Sequence, residues 1–177
     1  MNNQITILES RAILYLLSKL RDKNTNNKEF MIYGDRLMRI LAEESLCRLP
    51  NINTGLIETP CGKCLGLIDN EKSKICVVSI VRSGDILLEA IRYIQPGIKV
   101  GKILIQRDES SETKKPILYY KKLPKDIKEC TVILVDPMLA TGGSAKKAIS
   151  VLLECNIIQE QIIFVNLICC EEGLKNV

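Results

Sequence analysis

Two short runs, Ile75–Val81 (ICVVSIV) and Thr131–Val135 (TVILV), are almost wholly apolar and rich in β-branched residues. Neither alternates polar with apolar positions, so each reads as a strand covered on both faces, the habit of a parallel sheet. Each run stops at a polar turn and gives way to helical spacing. After the first come Leu87, Leu88, Ile91 and Ile94, ended by Pro96-Gly97; after the second, a loop from Asp136 to Gly143 opens a helix over Ser144–Glu154. A strand over Val100–Ile105 lies between them, and a fourth buried strand is expected over Gln161–Cys170. Strand–helix alternation of this kind predicts an α/β fold with a parallel sheet and right-handed crossovers.

Upstream, the pattern is helical. Ile13, Leu16, Leu17 and Leu20 predict an amphipathic helix from Ile5 to Leu20, ended by the polar stretch Arg21–Lys28. A second helix is expected over Glu29–Cys47, with Phe30, Tyr33, Leu37, Ile40 and Leu41 on one face. On its other face Asp35–Arg39 and Arg39–Glu43 are opposite charges four apart. Residues 51–70 read as two short strands around a turn at Cys61–Lys63, and the polar excursion Glu109–Asp126 as a flap. With 177 residues, 46% of them hydrophobic and 26% charged, the chain suits one domain. It divides into a helical arm over about 5–48 and a core over about 74–177.

The sequence holds no histidine, which removes Ser-His-Asp and Cys-His nucleophile schemes and His-ligated zinc together. A net charge of +4 suits an anionic small molecule and is too weak to announce nucleic acid. The longest early apolar run, Ala12–Leu17, is too short for a signal-peptide core or a membrane span. A cytoplasmic protein is expected, without a membrane or nucleic-acid partner. Eight cysteines lack the dense spacing of a disulfide scaffold, and Cys61-Gly-Lys-Cys64 has no second pair to complete a zinc ribbon. Reduced thiols and no protein metal site are the expectation.

In a parallel sheet, ligands bind at the carboxyl ends of the strands. There the strand TVILV delivers Asp136, and Thr141-Gly142-Gly143-Ser144 turns the chain into a helix. Two glycines let the backbone fold tightly, the two hydroxyls donate hydrogen bonds, and the helix start adds partial positive charge. Together these make a cradle for a phosphate monoester, with Asp136 placed to accept hydrogen bonds from a sugar. The Walker loop is excluded because no Gly-Lys-Ser/Thr occurs here, and G-x-G-x-x-G is absent. At neighbouring strand ends stand Arg82-Ser83-Gly84, a small anion nest, and Arg107; the two arginines point to a pyrophosphate site.

The segment DPMLATGGS, Asp136 to Ser144, resembles the phosphoribosyl-pyrophosphate loop of uracil phosphoribosyltransferases, with Pro137 and Met138 where other phosphoribosyltransferases have an acidic residue. The resemblance extends through RDKNTNNKEF (21–30), CVVSIVRSGD (76–85), VGKILIQRDE (100–109), YYKKLPKDI (119–127) and NLICCEEG (166–173). It implies a type I phosphoribosyltransferase-like fold with N-terminal helices and a β-hairpin flap. The implied reaction is pyrimidine salvage, in which uracil and phosphoribosyl pyrophosphate give UMP and pyrophosphate. By resemblance, Asp136, Pro137, Met138, Leu139, Ala140, Thr141, Gly142, Gly143 and Ser144 would hold the ribose 5-phosphate, and Arg82, Ser83, Gly84 and Arg107 the pyrophosphate, with Arg82, Arg107 and Asp136 catalytic.

Magnesium would accompany the pyrophosphate, without dedicated protein carboxylates. Some eukaryotic members of the family are dimers or tetramers activated by GTP; Lys23 and Arg36 lie in the nucleotide-responsive region by resemblance, against a plain reading as surface charges. Two departures accompany the likeness. Asp85 stands where the family often has Glu or Leu. The family's uracil-reading segment, Tyr-x-x-Pro-Gly-x-Gly-Asp-x-Gly-Asp, has no counterpart, since no proline follows Pro137 and no Gly-Asp follows Gly84-Asp85. The core therefore reads as C-terminally incomplete, and the alternative expectation is an inactive homologue that binds phosphoribosyl pyrophosphate as a regulator or subunit.

Overall fold

A computed structural model describes residues 5–69, 74–107 and 115–177. The first helix, α1 (Arg11–Arg21), starts six residues later than the apolar spacing predicts. Ser10 is the reason: its hydroxyl accepts from the Ile13 amide at 3.1 Å and caps the helix, leaving residues 5–10 non-helical. The next helix, α2 (Asn27–Leu46), is opened by Asn26 and Glu29. The Glu29 amide donates to Asn26 Oδ1 at 3.0 Å, while Asn26 Nδ2 donates to Glu29 Oε2 at 2.8 Å. The buried stripe of α2 is Gly34, Leu37, Met38, Ala42 and Ser45, so Phe30 is turned outward relative to the expected face. Asp35 and Arg39 do pair, at 3.1 Å, and the Arg39 guanidinium lies 4.4 Å from the Tyr93 ring centroid.

A hairpin follows, with β1 (Ile52–Thr59) antiparallel to β2 (Gly62–Asp69). Its turn is Pro60-Cys61, a step before the predicted one. The core then runs β3 (Ile75–Val81), α3 (Asp85–Ile94), β4 (Lys99–Arg107), β5 (Pro116–Lys122), β6 (Thr131–Val135), β7 (Met138–Leu139), α4 (Gly143–Leu153), β8 (Ile162–Val165), β9 (Ile168–Cys169) and α5 (Glu171–Asn176). The main sheet has the order β5-β4-β3-β6-β8, parallel throughout except for antiparallel β5 at one edge. The flap expected over Glu109–Asp126 thus returns as a sheet strand; residues 108–114 lie outside the described residues.

Alternate residues of the central strands feed two apolar layers. Cys76, Val78 and Ile80 of β3 join Val132 and Leu134 of β6 beneath Ala148, Val151 and Leu152 of α4. Val77, Ile133 and Val135 face the other way, against Leu87, Leu88 and Ile91 of α3 and Met38 and Ala42 of α2. Each such fully buried aliphatic side chain contributes roughly 1.5–3 kcal/mol. With helices packed on both faces, the strand ends are where a ligand can reach the sheet. The fourth strand is shorter than Gln161–Cys170: it breaks after Val165, and the Leu167 and Ile168 amides turn to the Pro137 carbonyl at 3.1 and 3.0 Å. Its remainder pairs as β9 with β7, inside the loop after β6.

Candidate active site at the carboxyl ends of the strands

Because β3, β4 and β6 are parallel, their C-terminal ends share one edge of the sheet. That edge presents Ser83, Arg107 and Asp136 to a cavity of about 540 Å³. The whole segment Asp136–Ser144 lines it. Gly142 takes φ of +81°, the left-handed region that glycine enters freely, and caps α4. The first-turn amides of α4 have no acceptor inside their own helix and stand open to an anion. Behind the loop, the Cys170 amide donates to the Leu139 carbonyl at 3.0 Å and Asn176 Nδ2 to the Thr141 carbonyl at 2.9 Å. The loop is therefore braced by β9 and α5, neither of which the sequence reading placed there.

Asp136 is buried to 8% relative exposure. Burial pushes its carboxyl above the ordinary carboxylate range, opposed by hydrogen bonds from the Ser83 hydroxyl and the Met138 backbone. Ser83 Oγ donates to Asp136 Oδ1 at 2.8 Å. Arg107 Nη2 donates to Thr141 Oγ1 at 3.2 Å, tying the end of β4 to the loop after β6. Gly84 is buried under the turn; a Cβ there would stand 2.4 Å from the Val135 carbonyl oxygen and 2.8 Å from that of Ile80. Only glycine allows the turn to press so closely on β3 and β6. The Val81–Arg82 peptide bond is cis. Arg82 is exposed and outside the cavity lining; its carbonyl accepts from the Asp85 amide at 3.1 Å, and its guanidinium makes no hydrogen bond or ion pair among the described residues.

The opposite wall is apolar and comes from the arm: Leu17 and Leu20 of α1, and Phe30, Gly34 and Met38 of α2, with Arg21 beside them. Helical spacing places Leu17, Leu20 and Phe30 on apolar helix faces, and only the docking of the arm brings them, with Gly34 and Met38, to the cavity. Next to the turn, and outside the cavity lining, Lys102 Nζ donates to Asp85 Oδ2 at 2.9 Å and Ser79 Oγ to Asp85 Oδ1 at 2.7 Å. Lys23, between α1 and α2, and Arg36, on α2, are both exposed and neither lines the cavity; the Arg36 guanidinium lies 6.0 Å from the Tyr33 ring centroid. All eight cysteines are free, Cys61 and Cys64 being exposed on the hairpin. Among the described residues no group of three or more His, Cys, Asp or Glu side chains could hold a metal, and no helix is long and apolar enough to cross a membrane.

An α/β sheet with a glycine-capped helix mouth at its carboxyl edge, faced by an arginine and a buried carboxylate, has the chemistry to suit a phosphorylated sugar. Residues 7–177 match the uracil phosphoribosyltransferase (UPRTase) family, and the chain belongs to that family. The uracil phosphoribosyltransferase of Saccharomyces cerevisiae is 43% identical over 173 residues, covering 98% of this chain and 78% of that protein. That of Dictyostelium discoideum is 44% identical over 173 residues, with the same coverage of both chains. Among solved structures, the AQ2163 protein from Aquifex aeolicus superposes with a TM-score of 0.75 at 28% identity, over 97% of this chain and 79% of that one. These similarities favour a phosphoribosyl-transferring enzyme over an inactive homologue.

Proposed function

We propose that the chain transfers the phosphoribosyl group of phosphoribosyl pyrophosphate to uracil, giving UMP and pyrophosphate. The observation that carries this reading is the junction of Ser83 with buried Asp136 in a cavity walled by the Asp136–Ser144 loop. The α4 amides and the Thr141 and Ser144 hydroxyls bind the 5-phosphate. Asp136 accepts hydrogen bonds from the ribose hydroxyls, which fixes the sugar ring. Arg107 and Arg82 take the pyrophosphate, Arg82 reaching in from outside the lining. The bond to the leaving group lengthens before the base attacks, so catalysis rests on positioning and on stabilising negative charge as it develops. No proton-transfer histidine is required. The apolar wall of Leu17, Leu20, Phe30 and Met38 keeps water from the activated sugar.

Magnesium fits this site as a companion of the substrate. Asp136 is the carboxylate lining the cavity, and a magnesium ion bound mainly by phosphates and water needs no more than one or two carboxylates. When bound, it neutralises charge on the diphosphate. Lys23 and Arg36 are proposed to respond to GTP, which a change in rate on adding GTP, lost in Lys23→Ala and Arg36→Ala, would establish. A homodimer or homotetramer is supported by Leu56, Leu65 and Leu67, which are 64–73% exposed on the hairpin, and sedimentation reads the assembly directly. Eight free thiols suit the cytoplasm.

The decisive experiment supplies uracil and phosphoribosyl pyrophosphate to the purified protein and measures UMP, beside calorimetric titration of phosphoribosyl pyrophosphate alone. UMP formation that depends on uracil supports the reading. Binding without UMP overturns the transferase reading for this chain, and absence of binding overturns the site.

A further inference from the structure

Asp85 follows the anion turn directly, and a carboxylate beside a diphosphate site calls for a physical reason. It is the first residue of α3, and its side chain reaches back onto the sheet. There it accepts from Ser79 Oγ at 2.7 Å and from Lys102 Nζ at 2.9 Å, one bond to each carboxylate oxygen. Ser79 and Lys102 are Cα partners in the parallel β3–β4 ladder, so the two donors leave the same face of the sheet side by side. Ser79 is fully buried, the one polar side chain within β3. Lys102 and Asp85 are 43% and 37% exposed, so their attraction is screened and adds little to the stability of the core.

Its effect is on placement. The Arg82–Gly84 turn leaves β3 at Val81 and re-enters regular structure at Asp85, and Gly84 is wedged against the Ile80 and Val135 carbonyls. With Asp85 tied to Ser79 and Lys102, both ends of the turn are fixed, and Ser83 is held at Asp136. The ammonium also cancels the carboxylate charge that would otherwise repel an anion bound one residue away.

We propose that Asp85 and Lys102 are positioning residues: the clamp they form with Ser79 holds the Arg82–Gly84 turn in its anion-binding geometry and keeps the local charge balanced for the diphosphate. The inference rests on the transferase reading above and deepens it at the pyrophosphate end of that site.

The test uses Lys102→Met, Lys102→Arg, Asp85→Asn and the double variant Asp85→Asn/Lys102→Met in the full chain. For each, the KM for phosphoribosyl pyrophosphate, the KM for uracil, kcat and the inhibition constant of free diphosphate are measured. Calorimetric affinity for phosphoribosyl pyrophosphate and the thermal midpoint are measured as well. Lys102→Met leaves the carboxylate uncompensated, so the KM for phosphoribosyl pyrophosphate and the diphosphate inhibition constant should rise on the order of tenfold with the KM for uracil unchanged. Lys102→Arg should stay within about threefold of wild type because it keeps the charge and a donor. The double variant should recover part of the Lys102→Met loss, since charge balance returns without the clamp.

Folded Lys102→Met with unchanged affinity for both anions overturns the inference, as does a double variant no better than Lys102→Met. Should Lys102→Met fail to fold, Lys102→Gln and Lys102→Arg carry the test: a loss of anion affinity in the former and its retention in the latter support the clamp, and any other pattern overturns it. A wild-type protein that binds phosphoribosyl pyrophosphate and makes no UMP overturns the transferase reading separately, and the calorimetric affinities then decide the clamp.

Discussion

Ser83 and Asp136, fifty-three positions apart in the chain, are joined by a 2.8 Å hydrogen bond between the Ser83 hydroxyl and Asp136 Oδ1. The bond links the turn after β3 to the loop after β6. It also places a buried carboxylate where the proposed substrate presents its ribose and its pyrophosphate.

Asp136→Asn should lose activity and gain stability. Burial raises the Asp136 carboxyl above its unfolded value, so the folded state binds a proton more readily than the unfolded state. Stability therefore falls as pH rises from the ordinary carboxylate range through the raised native value. The variant should show a higher thermal midpoint than wild type at pH 7, the gap closing as pH falls below the native value. A drop in UMP formation of at least about 100-fold is expected alongside. Equal midpoints at pH 7 would contradict the assignment of Asp136 as a strained functional carboxylate.

Gly142→Ala should damage the phosphate cradle. Its φ of +81° costs an L-residue roughly 1–2 kcal/mol, and the added Cβ would sit 3.0 Å from the Gly173 carbonyl oxygen. Denaturant unfolding should register a loss of about that size. The KM for phosphoribosyl pyrophosphate should rise while the KM for uracil is spared.

Arg107→Lys tests the link between β4 and the loop. The guanidinium donates to Thr141 Oγ1 at 3.2 Å from a planar fork that leaves other N–H groups for the substrate, and an ammonium has no such fork. Turnover should fall by about tenfold or more while the thermal midpoint holds, because Arg107 is exposed. Lost stability with retained turnover would reverse that assignment.

Thiol labelling of the native protein should separate the cysteines by environment. Cys47, Cys61, Cys64, Cys169 and Cys170 are exposed and should react readily. Cys76 is buried, and burial with some help from Cys130 pushes its thiol up to about 12, so it should resist until the protein unfolds. Mass spectrometry of the labelled peptides reads the pattern, and early modification of Cys76 would place it outside the core.

Much of the architecture was legible in local pattern. Continuous apolar runs marked β3 and β6 because strands covered on both faces show no alternation, and Asp136 through Ser144 announced a cradle through turn chemistry and hydroxyls. The fourth strand was overextended because apolar character persists to Cys170, whereas the chain at Leu167 and Ile168 gives its amides to Pro137. The first helix was extended too far toward the N-terminus because Ser10 acts as a cap only in the geometry it adopts.

Sequence alone determined which residues are suited to a phosphate, since that depends on backbone freedom, hydroxyls and charge within a few consecutive positions. Tertiary structure alone decided that Ser83 meets Asp136, that Lys102 reaches Asp85, and that Leu17 and Phe30 wall the cavity. The physical reason is that these contacts join segments whose approach is set by the register of a parallel sheet and the docking of an arm, and no short-range spacing encodes either.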